Sequence, residues 1–376
     1  MFKLAKTFAL LFLFAASLDS VLAQQSRANP TPTPDQEPDP VRVFTEEVRL
    51  PVVALDQFGR YDPTLEPEDI LVLEDGVAQQ IRSVRHIPAN VLVLLDTGGE
   101  ASGLGSVSKQ TSLTRAVAIK LLDLLPQEAV IELMQFNDTV EVLQSWTSDK
   151  KALLKALKTK LLSGKRARFA DALVVAAREL QDRPEGSRHL VLITDGVDTG
   201  GKAERSDAIN KIVAARATIH VISYTEFVRQ QKSPTTAVTG GQRPPASDPI
   251  TMTDPTLPPG TTRSPSFGIG IRFDPAMRRQ RKAYEVAVKK SQEALRTVAE
   301  ETGGRIFLPI TSEQMIAQAA EVAGDIGAEF VVTYRPKRPL ASARRGEYRR
   351  IEVASRRVGV SLRSRRGYVV PEGNRN

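Results

Sequence analysis

The sequence contains no cysteine and only three histidines among its 376 residues, and aromatic residues make up 5% of it. The missing cysteine excludes disulfides, zinc–thiolate sites, iron–sulfur clusters and thiol nucleophiles. The histidines lie far apart, within or at the start of strand-like runs, which favours packing over catalysis: His86, His189 and His220. The phosphate-loop pattern G-x-x-x-x-G-K-[ST] and the nucleophile-elbow pattern G-x-S-x-G do not occur either. The sequence therefore predicts a protein that is not an enzyme.

Long apolar runs are also scarce, and the one near the amino terminus indicates a targeting segment. Two lysines precede an uninterrupted apolar run at residues 8–16, and small residues lead up to Ala23. This order is typical of a secretory signal peptide, and the run is too short to span a bilayer. We expect cleavage of residues 1–23 near Ala23 and a periplasmic or secreted mature chain without a transmembrane segment. Residues 24–40, rich in proline and threonine, are expected to be a disordered linker.

From residue 89 to residue 327, short strand-like runs alternate with longer helical patterns. The runs at 91–95 and 190–193 are continuous Leu, Val and Ile, which is typical of parallel strands buried on both faces. The sequence therefore predicts an α/β fold with a doubly wound, mostly parallel sheet. Residues 137–138 lie between two strand-like runs and predict a hairpin, and hence an antiparallel edge strand. Helical patterns are found near residues 111–125, 149–162, 171–181, 203–215, 284–301 and 313–326.

One insert and two flanks complete the predicted organisation. The insert, residues 226–282, is rich in proline, threonine and glycine and is expected to be disordered. The flanks, residues 41–88 and 328–370, contain short alternating strands, and neither has enough of them to close a core. Together they give about six strands, so we predict that the two flanks combine into one β-sandwich. Residues 335–376 are basic, with thirteen arginines and lysines against three glutamates.

Two of the buried strands end on an aspartate, Asp96 and Asp195. Open α/β sheets bind their ligands at the carboxyl ends of the strands. Carboxylate oxygens are the ligands that hard divalent cations prefer. Two such aspartates in one sheet therefore indicate a candidate cation site.

The order of these elements resembles the von Willebrand factor type A (VWFA) fold. In more detail, the chain is similar to the secreted VWFA-related proteins of Acidobacteria and their relatives. The match covers nearly everything after Val41 except the insert. It is carried by Thr194-Asp195-Gly196, Leu73-Glu74-Asp75-Gly76, Ala299-Glu300-Glu301-Thr302-Gly303-Gly304-Arg305, Val332-Thr333-Tyr334-Arg335-Pro336 and Arg366-Gly367-Tyr368.

The resemblance implies a metal-ion-dependent adhesion site, in which Asp-x-Ser-x-Ser, a threonine and a second aspartate hold a cation that binds an acidic group of the partner. This chain keeps Asp96 and Asp195 but has Gly98 and Glu100 in place of the serines and Ala167 in place of the threonine. We therefore predict a degenerate site, with Asp96, Glu100 and Asp195 as candidate ligands of Mg²⁺ or Ca²⁺. Alternatively, the two aspartates bind no cation and accept hydrogen bonds from backbone N–H groups.

The leading hypothesis is an exported, non-catalytic module that binds another protein through the strand-end face. The alternative is a metal-free structural component of the envelope that attaches to an anionic polymer through its basic flank. The candidate anion-binding residues are Arg349, Arg350, Arg356, Arg357, Arg365 and Arg366. The same arginines also fit a solvated sheet edge that resists aggregation. A nucleic-acid partner and a small-molecule substrate are not expected; a third hypothesis is a hydrolase with a metal-bound water held by three carboxylates.

Overall fold

A computed structural model of the chain describes residues 47–99, 111–232, 275–344 and 346–370. The described residues form a six-stranded sheet covered by helices on both faces and two four-stranded antiparallel sheets. The predicted signal peptide, the predicted linker and Glu100 lie outside the described residues, as does the middle of the predicted insert. None of the described helices is long and apolar enough to cross a membrane.

The described strands and helices are numbered here in chain order. The strands are β1 (Val48–Leu55), β2 (Ile70–Glu74), β3 (Val77–Ala78), β4 (Gln80–Arg85), β5 (Asn90–Asp96), β6 (Val130–Phe136), β7 (Val140–Thr147), β8 (Arg188–Thr194), β9 (Thr218–Ser223), β10 (Ile306–Phe307), β11 (Phe330–Arg335), β12 (Tyr348–Ser355), β13 (Ser361–Ser364) and β14 (Gly367–Val369). The helices are α1 (Thr111–Leu124), α2 (Lys150–Thr159), α3 (Phe169–Gln181), α4 (Arg205–Ala214), α5 (Thr225–Lys232), α6 (Pro275–Glu301) and α7 (Ser312–Gly327).

The central sheet has the strand order β10-β9-β8-β5-β6-β7, and every neighbouring pair is parallel except β6 and β7. Successive side chains of a strand point to opposite faces. Val91 and Val93 of β5 therefore pack in the layer of α1, α2, α5 and α7, and Leu92 and Leu94 pack in the layer of α3, α4 and α6. Both faces are covered, which explains the continuous apolar runs and confirms the predicted doubly wound α/β class.

The predicted hairpin joins β6 to β7. The two strands are antiparallel, with Phe136 paired to Val140, and β7 lies at the edge of the sheet. The Asn137 side chain accepts a hydrogen bond from the backbone N–H of Thr139 (3.0 Å), which stabilises the turn. The prediction of an antiparallel edge strand is therefore confirmed.

The prediction of a disordered insert at 226–282 is wrong at both ends of that range. Helix α5 occupies Thr225–Lys232, and helix α6 begins at Pro275, before the helical pattern expected from residue 284. In α5, Phe227 and Val228 are buried in the layer of α1 and α7, so tertiary packing stabilises a segment with a weak local pattern. Residues 233–274 lie outside the described residues.

The two flanks interleave strand by strand in two antiparallel sheets, β13-β1-β11-β4 and β14-β12-β2-β3. Strand β1 lies between β11 and β13, and β2 lies between β12 and β3, so neither sheet forms from one flank alone. Apolar side chains of both sheets meet in one core, which includes Leu50, Val72, Val332 and Ile351. The predicted sandwich has eight described strands rather than about six, because β3 and β14 are too short to show a hydrophobic period.

This flank sandwich joins the central sheet at the amino ends of β8 and β9. The Thr218 hydroxyl, at the start of β9, donates to Glu329 Oε2 (3.2 Å), and Glu329 directly precedes β11 of the sandwich. The carboxyl ends of the central strands lie at the opposite edge of the sheet. The candidate site is therefore separate from the flank sandwich.

Candidate functional site

Asp96 ends β5 and is fully buried. Its Oδ1 accepts a hydrogen bond from the backbone N–H of Gly98 (3.1 Å), and its Oδ2 accepts one from the Thr194 hydroxyl (2.6 Å). Thr194 is the last residue of β8, so this side-chain bond joins the ends of two adjacent strands. Both oxygens of the carboxylate thus have protein donors.

Asp195 directly follows β8, and its Oδ1 accepts the backbone N–H of Val197 (2.9 Å). The Ser291 hydroxyl of α6 donates to the backbone carbonyl of Asp195 (2.7 Å). Arg205 of α4 donates to the carbonyl of Gly196 (2.6 Å). The loop after β8 is therefore shaped by its own aspartate and by the two helices that flank it.

A third loop, residues 160–168, is hydrogen-bonded to both of these loops. The backbone N–H of Gly164 donates to the carbonyl of Thr97 (3.0 Å). Ala167 and Thr199 exchange two bonds: Ala167 N–H donates to the Thr199 hydroxyl (2.7 Å), and Thr199 N–H donates to the Ala167 carbonyl (2.9 Å). The loops after β5, α2 and β8 therefore form one connected surface.

Gly98 lies so close to the third loop that no larger residue fits. A Cβ atom at this position would overlap the carbonyl group of Arg166 and would lie 2.9 Å from the Cα atom of Ala167. The first serine of the adhesion-site pattern is thus excluded by packing as well as by sequence. Ala167, which replaces the threonine of that pattern, is buried and offers no side-chain oxygen.

The described residues offer few oxygen ligands to a divalent cation. They provide two carboxylates, and the bonds to Gly98, Thr194 and Val197 engage three of their four oxygens. Positions 98 and 167 add no side-chain oxygen. No group of three or more acidic or histidine side chains in the described ranges is arranged to hold a metal ion. The third candidate ligand, Glu100, lies outside the described residues, so its part in the site stays a prediction.

Two further aspartates near the site also bind backbone groups. Asp198 Oδ2 accepts the N–H of Ala170 in the first turn of α3 (2.8 Å), and its Oδ1 accepts the N–H of Gly201 (2.7 Å). Asp171 Oδ1 accepts the N–H of Ala203 (2.7 Å). Carboxylates near the first turn of a helix are stabilised by its unpaired N–H groups. These aspartates therefore tie the β8 loop to α3.

Sequence reasoning missed Tyr224, which is fully buried beneath the site and follows β9. Its hydroxyl is hydrogen-bonded to the hydroxyl of Thr114 in α1. Burial, and then the charges of Asp96 and Asp195, raise the pKa of the Tyr224 phenol. The tyrosine is therefore a neutral hydrogen-bonding group that anchors α1 under the strand ends. Its place in the site depends on the pairing of β8 with β9, which the sequence does not show.

The arginines proposed as an anion-binding surface are not all exposed. Arg349 is fully buried and Arg365 is 6% exposed, so neither can contribute to such a surface. Arg349 donates to Glu74 Oε1 (2.9 Å), and Arg365 donates to the Arg216 carbonyl (2.9 Å). Arg349 lies on the inward face of β12, because successive strand residues alternate between faces. Arg365 lies in the link between β13 and β14.

The four remaining candidates are at the surface to different degrees. Arg350, Arg357 and Arg366 form ion pairs with Glu352, Asp62 and Glu300, respectively. Among the described residues, the Arg356 side chain has no ion-pair partner, and it is exposed. The flank thus presents less uncompensated positive charge than its composition predicts.

The sequence comparison assigns the central domain to a known family. Residues 90–242 match the family model of the von Willebrand factor type A domain. Together with the doubly wound sheet, this match shows that the chain contains a von Willebrand factor type A domain, as the sequence resemblance predicted. Domains of this class serve in protein–protein and adhesion-type binding. No curated protein matches the chain.

Solved structures with similarity to the chain come from several organisms. A von Willebrand factor type A protein from Catenulispora acidiphila is 10% identical, with 88% of this chain and 76% of that one covered and a TM-score of 0.41. An aerotolerance-related membrane protein from Bacteroides fragilis is 14% identical over 62% of this chain and 98% of that one, with a TM-score of 0.37. The manganese-loaded TRAP protein of Plasmodium vivax is 16% identical over 41% and 61%, with a TM-score of 0.31. At these values the similarities carry no argument about function.

Proposed function

We propose that this chain is an exported, non-catalytic module that recognises another protein through the carboxyl-end edge of its central sheet. The observation that carries the proposal is the connected surface formed by the loops after β5, α2 and β8. Bonds such as Gly164 N–H to the Thr97 carbonyl and Thr199 N–H to the Ala167 carbonyl hold this surface in one shape. A preformed surface loses little conformational entropy on binding, which favours its use as an interface.

In this proposal the degenerate site does not bind the partner through a cation. The site consists of Asp96, Glu100 and Asp195. Asp96 and Asp195 set the shape of their loops by accepting backbone N–H groups and the Thr194 hydroxyl. Recognition then requires no Mg²⁺ or Ca²⁺. Adding either ion, or removing it with EDTA, should leave partner binding unchanged.

Export is supported by the amino-terminal sequence, with its two lysines, apolar run and small residues before Ala23. We also propose kinship with the secreted VWFA-related proteins of Acidobacteria and their relatives. Amino-terminal sequencing of protein recovered from periplasmic and extracellular fractions tests export. A mature chain that begins near Gln24 supports export, and an intact Met1 in the cytoplasmic fraction alone contradicts it.

The interface is tested by placing a photo-crosslinking amino acid at Thr199, an exposed residue of the strand-end surface. The matched control carries it at Val358, an exposed residue in the turn between β12 and β13 of the flank. In cells that produce the chain, we expect a defined protein adduct from position 199 and none from position 358, with and without EDTA. An adduct from position 358 alone would favour the basic flank instead, and no adduct from either position would contradict the proposal.

The hydrolase hypothesis needs a metal-bound water held by three carboxylates. A screen of generic ester and phosphate substrates with Mg²⁺ or Mn²⁺ tests the proposal that the chain is non-catalytic. Turnover that is lost in Asp195→Ala would overturn that part of the proposal.

A further inference from the structure

Arg166 lies between the loops after β5 and β8. Its backbone carbonyl is packed against Gly98 so closely that a Cβ atom there would overlap it. Its Cδ atom lies 3.0 Å from the position that a Cβ atom of Gly200 would take. Gly98 therefore leaves room for the backbone of residue 166, and Gly200 leaves room for the stem of its side chain.

The charge of Arg166 is uncompensated among the described residues. Its side chain is exposed and makes no hydrogen bond or ion pair with any residue of the described ranges. The nearby carboxylates of Asp171 and Asp198 accept backbone N–H groups, such as those of Ala203 and Gly201. Within the described ranges, this exposed guanidinium at the strand ends thus has no anionic partner.

Two lysines add positive charge to the same surface. Lys165 precedes Arg166, and Lys202 follows Gly200 by two residues; both side chains are exposed and have no ion pair with the described part of the chain. Their backbones are held in place, because the N–H of Lys165 donates to Asp138 Oδ2 (2.7 Å) and that of Lys202 donates to Asp171 Oδ1 (3.0 Å). The three cations therefore lie on hydrogen-bonded loops.

We propose that the guanidinium of Arg166 binds an acidic side chain of the partner protein directly, in place of a metal ion. This inference rests on the proposed function, since it assigns the chemistry of the same surface. A guanidinium presents two parallel N–H donors that match the two oxygens of a carboxylate, and it keeps its charge at any physiological pH. Lys165 and Lys202 raise the positive potential around it and increase the rate of encounter with an acidic segment.

A protein carboxylate suits this surface better than a long polyanion does. Arg166, Lys165 and Lys202 lie on two adjacent loops, whereas a polymer is held by charges spread along its length. In the flank, the other basic region, several exposed arginines form ion pairs, for example Arg350 with Glu352 and Arg366 with Glu300. The occupant we assign is therefore an aspartate or glutamate of a partner protein.

The test uses the full chain and two short peptides that differ in one residue, one with a single aspartate and one with asparagine in its place. Binding is followed by NMR on the Nε–Hε signal of Arg166 and the amide signal of Gly200. We expect saturable shifts with the aspartate peptide, in EDTA and in Mg²⁺ alike, and none with the asparagine peptide. The affinity should weaken as salt is added, because exposed charges are screened.

Arg166→Gln is compared with Arg356→Gln, since each removes one exposed arginine without an ion pair among the described residues. We expect Arg166→Gln to weaken aspartate-peptide binding at least tenfold, Arg166→Lys to have an intermediate effect, and Arg356→Gln to bind like the wild type. Equal binding by Arg166→Gln, a requirement for Mg²⁺, or no shift in the wild type would overturn the inference. Polyphosphate that binds more tightly than the aspartate peptide, and that loses its affinity in Arg356→Gln, would also overturn the inference. That result would assign anion binding to the flank.

The photo-crosslinker at Thr199 separates this inference from the proposed function. An adduct that forms in the wild type and persists in Arg166→Gln would support the strand-end interface and contradict the role proposed for Arg166. An adduct that forms in the wild type and is lost in Arg166→Gln supports both.

Discussion

The imidazole Nε2 of His189 lies 3.3 Å from Oε1 of Glu329, and both side chains are buried where the central sheet meets the flank sandwich. The other two histidines of the chain lie at the same junction. His220 stacks on His189 with ring centroids 6.3 Å apart, and His86 Nδ1 lies 3.0 Å from the Glu329 carbonyl oxygen. His220 also faces Asp325 of α7, which forms an ion pair with Arg363 of the flank (2.8 Å). All three histidines thus lie where the central sheet meets the flank sandwich.

We predict that this junction loses stability in acid. Burial lowers the pKa of His220 to about 4 and that of His189 to about 3. Unfolded histidines have a pKa of about 6.5. Below pH 6.5 the unfolded chain therefore binds protons that the folded chain does not. The stabilising effect of these histidines is fully present above pH 6.5 and falls as the pH falls towards 4, by about 1.4 kcal/mol per pH unit for each proton.

His220→Gln removes one of these titrations, so its melting temperature should fall less than that of the wild type between pH 7 and pH 4.5. Val358→Ala, which changes an exposed side chain that does not titrate, is the control and should keep the wild-type slope. Glu329 acts in the opposite sense, because burial raises its pKa to about 8 and its contribution is lost as the pH rises from about 4.5 to 8. An unchanged acid slope in His220→Gln would contradict the prediction.

The buried pair of Glu74 and Arg349 should be essential to the flank sandwich. Arg349 Nη1 donates to Glu74 Oε1 (2.9 Å), and the Tyr334 hydroxyl donates to Glu74 Oε2 (2.8 Å). Arg349→Met leaves the buried Glu74 carboxylate without a cation, so it should lower the free energy of unfolding by about 3–5 kcal/mol. Glu74→Gln should cost less, because Arg349 keeps its ion pair with Glu347 (3.1 Å). The double variant should lose less than the sum. Chemical denaturation measures all three.

Arg350→Ala is the matched control for Arg349→Met, since Arg350 forms an exposed ion pair with Glu352. Its effect should be within about 1 kcal/mol. If the losses of unfolding free energy in the two single variants add up in the double variant, the two residues do not stabilise each other. Equal losses in Arg349→Met and Arg350→Ala would contradict the importance of the buried pair.

Restoring the first serine of the adhesion-site pattern should destabilise the chain without creating a cation site. In Gly98→Ser the new Cβ overlaps the Arg166 carbonyl, and overpacking of this kind costs about 1–3 kcal/mol. Melting temperatures measured in EDTA and in Mg²⁺, Ca²⁺ or Mn²⁺ should be equal. Gly327→Ser is the control, because a Cβ there meets only Pro126, at 3.4 Å, and should leave stability unchanged or slightly higher. A cation-dependent rise in Gly98→Ser would show that the loops open to admit an ion.

The bond between the Thr194 hydroxyl and Asp96 should stabilise the strand ends. Thr194→Val keeps the shape of the side chain but removes the 2.6 Å donor to a buried carboxylate, which should cost about 1.5–3 kcal/mol. Thr139→Val, in the exposed β6–β7 turn, should stay within about 0.5 kcal/mol of the wild type. Thermal unfolding of both variants tests this, and equal stabilities would show that the hydroxyl is dispensable.

Local patterns of residues are enough to predict the layered fold and the place of the candidate site. Uninterrupted apolar runs such as residues 91–95 specify strands covered on both faces, and an aspartate after such a run must lie at the carboxyl edge of the sheet. The shortage of strands in each flank required that the flanks pair with each other. These conclusions depend on local patterns, because a period of two or 3.6 residues shows which face of an element is buried.

Contacts between residues far apart in the chain are known from the three-dimensional fold and not from local patterns. The approach of Arg166 to Gly98, the gathering of all three histidines around Glu329 and Asp325, and the burial of Arg349 against Glu74 each depend on the order of strands in the sheets. A periodic pattern identifies a buried face, but it does not identify the element that covers that face. The composition therefore shows that the chain is positively charged. The fold is needed to show that Arg349 is buried and that Arg166 is exposed at the strand ends.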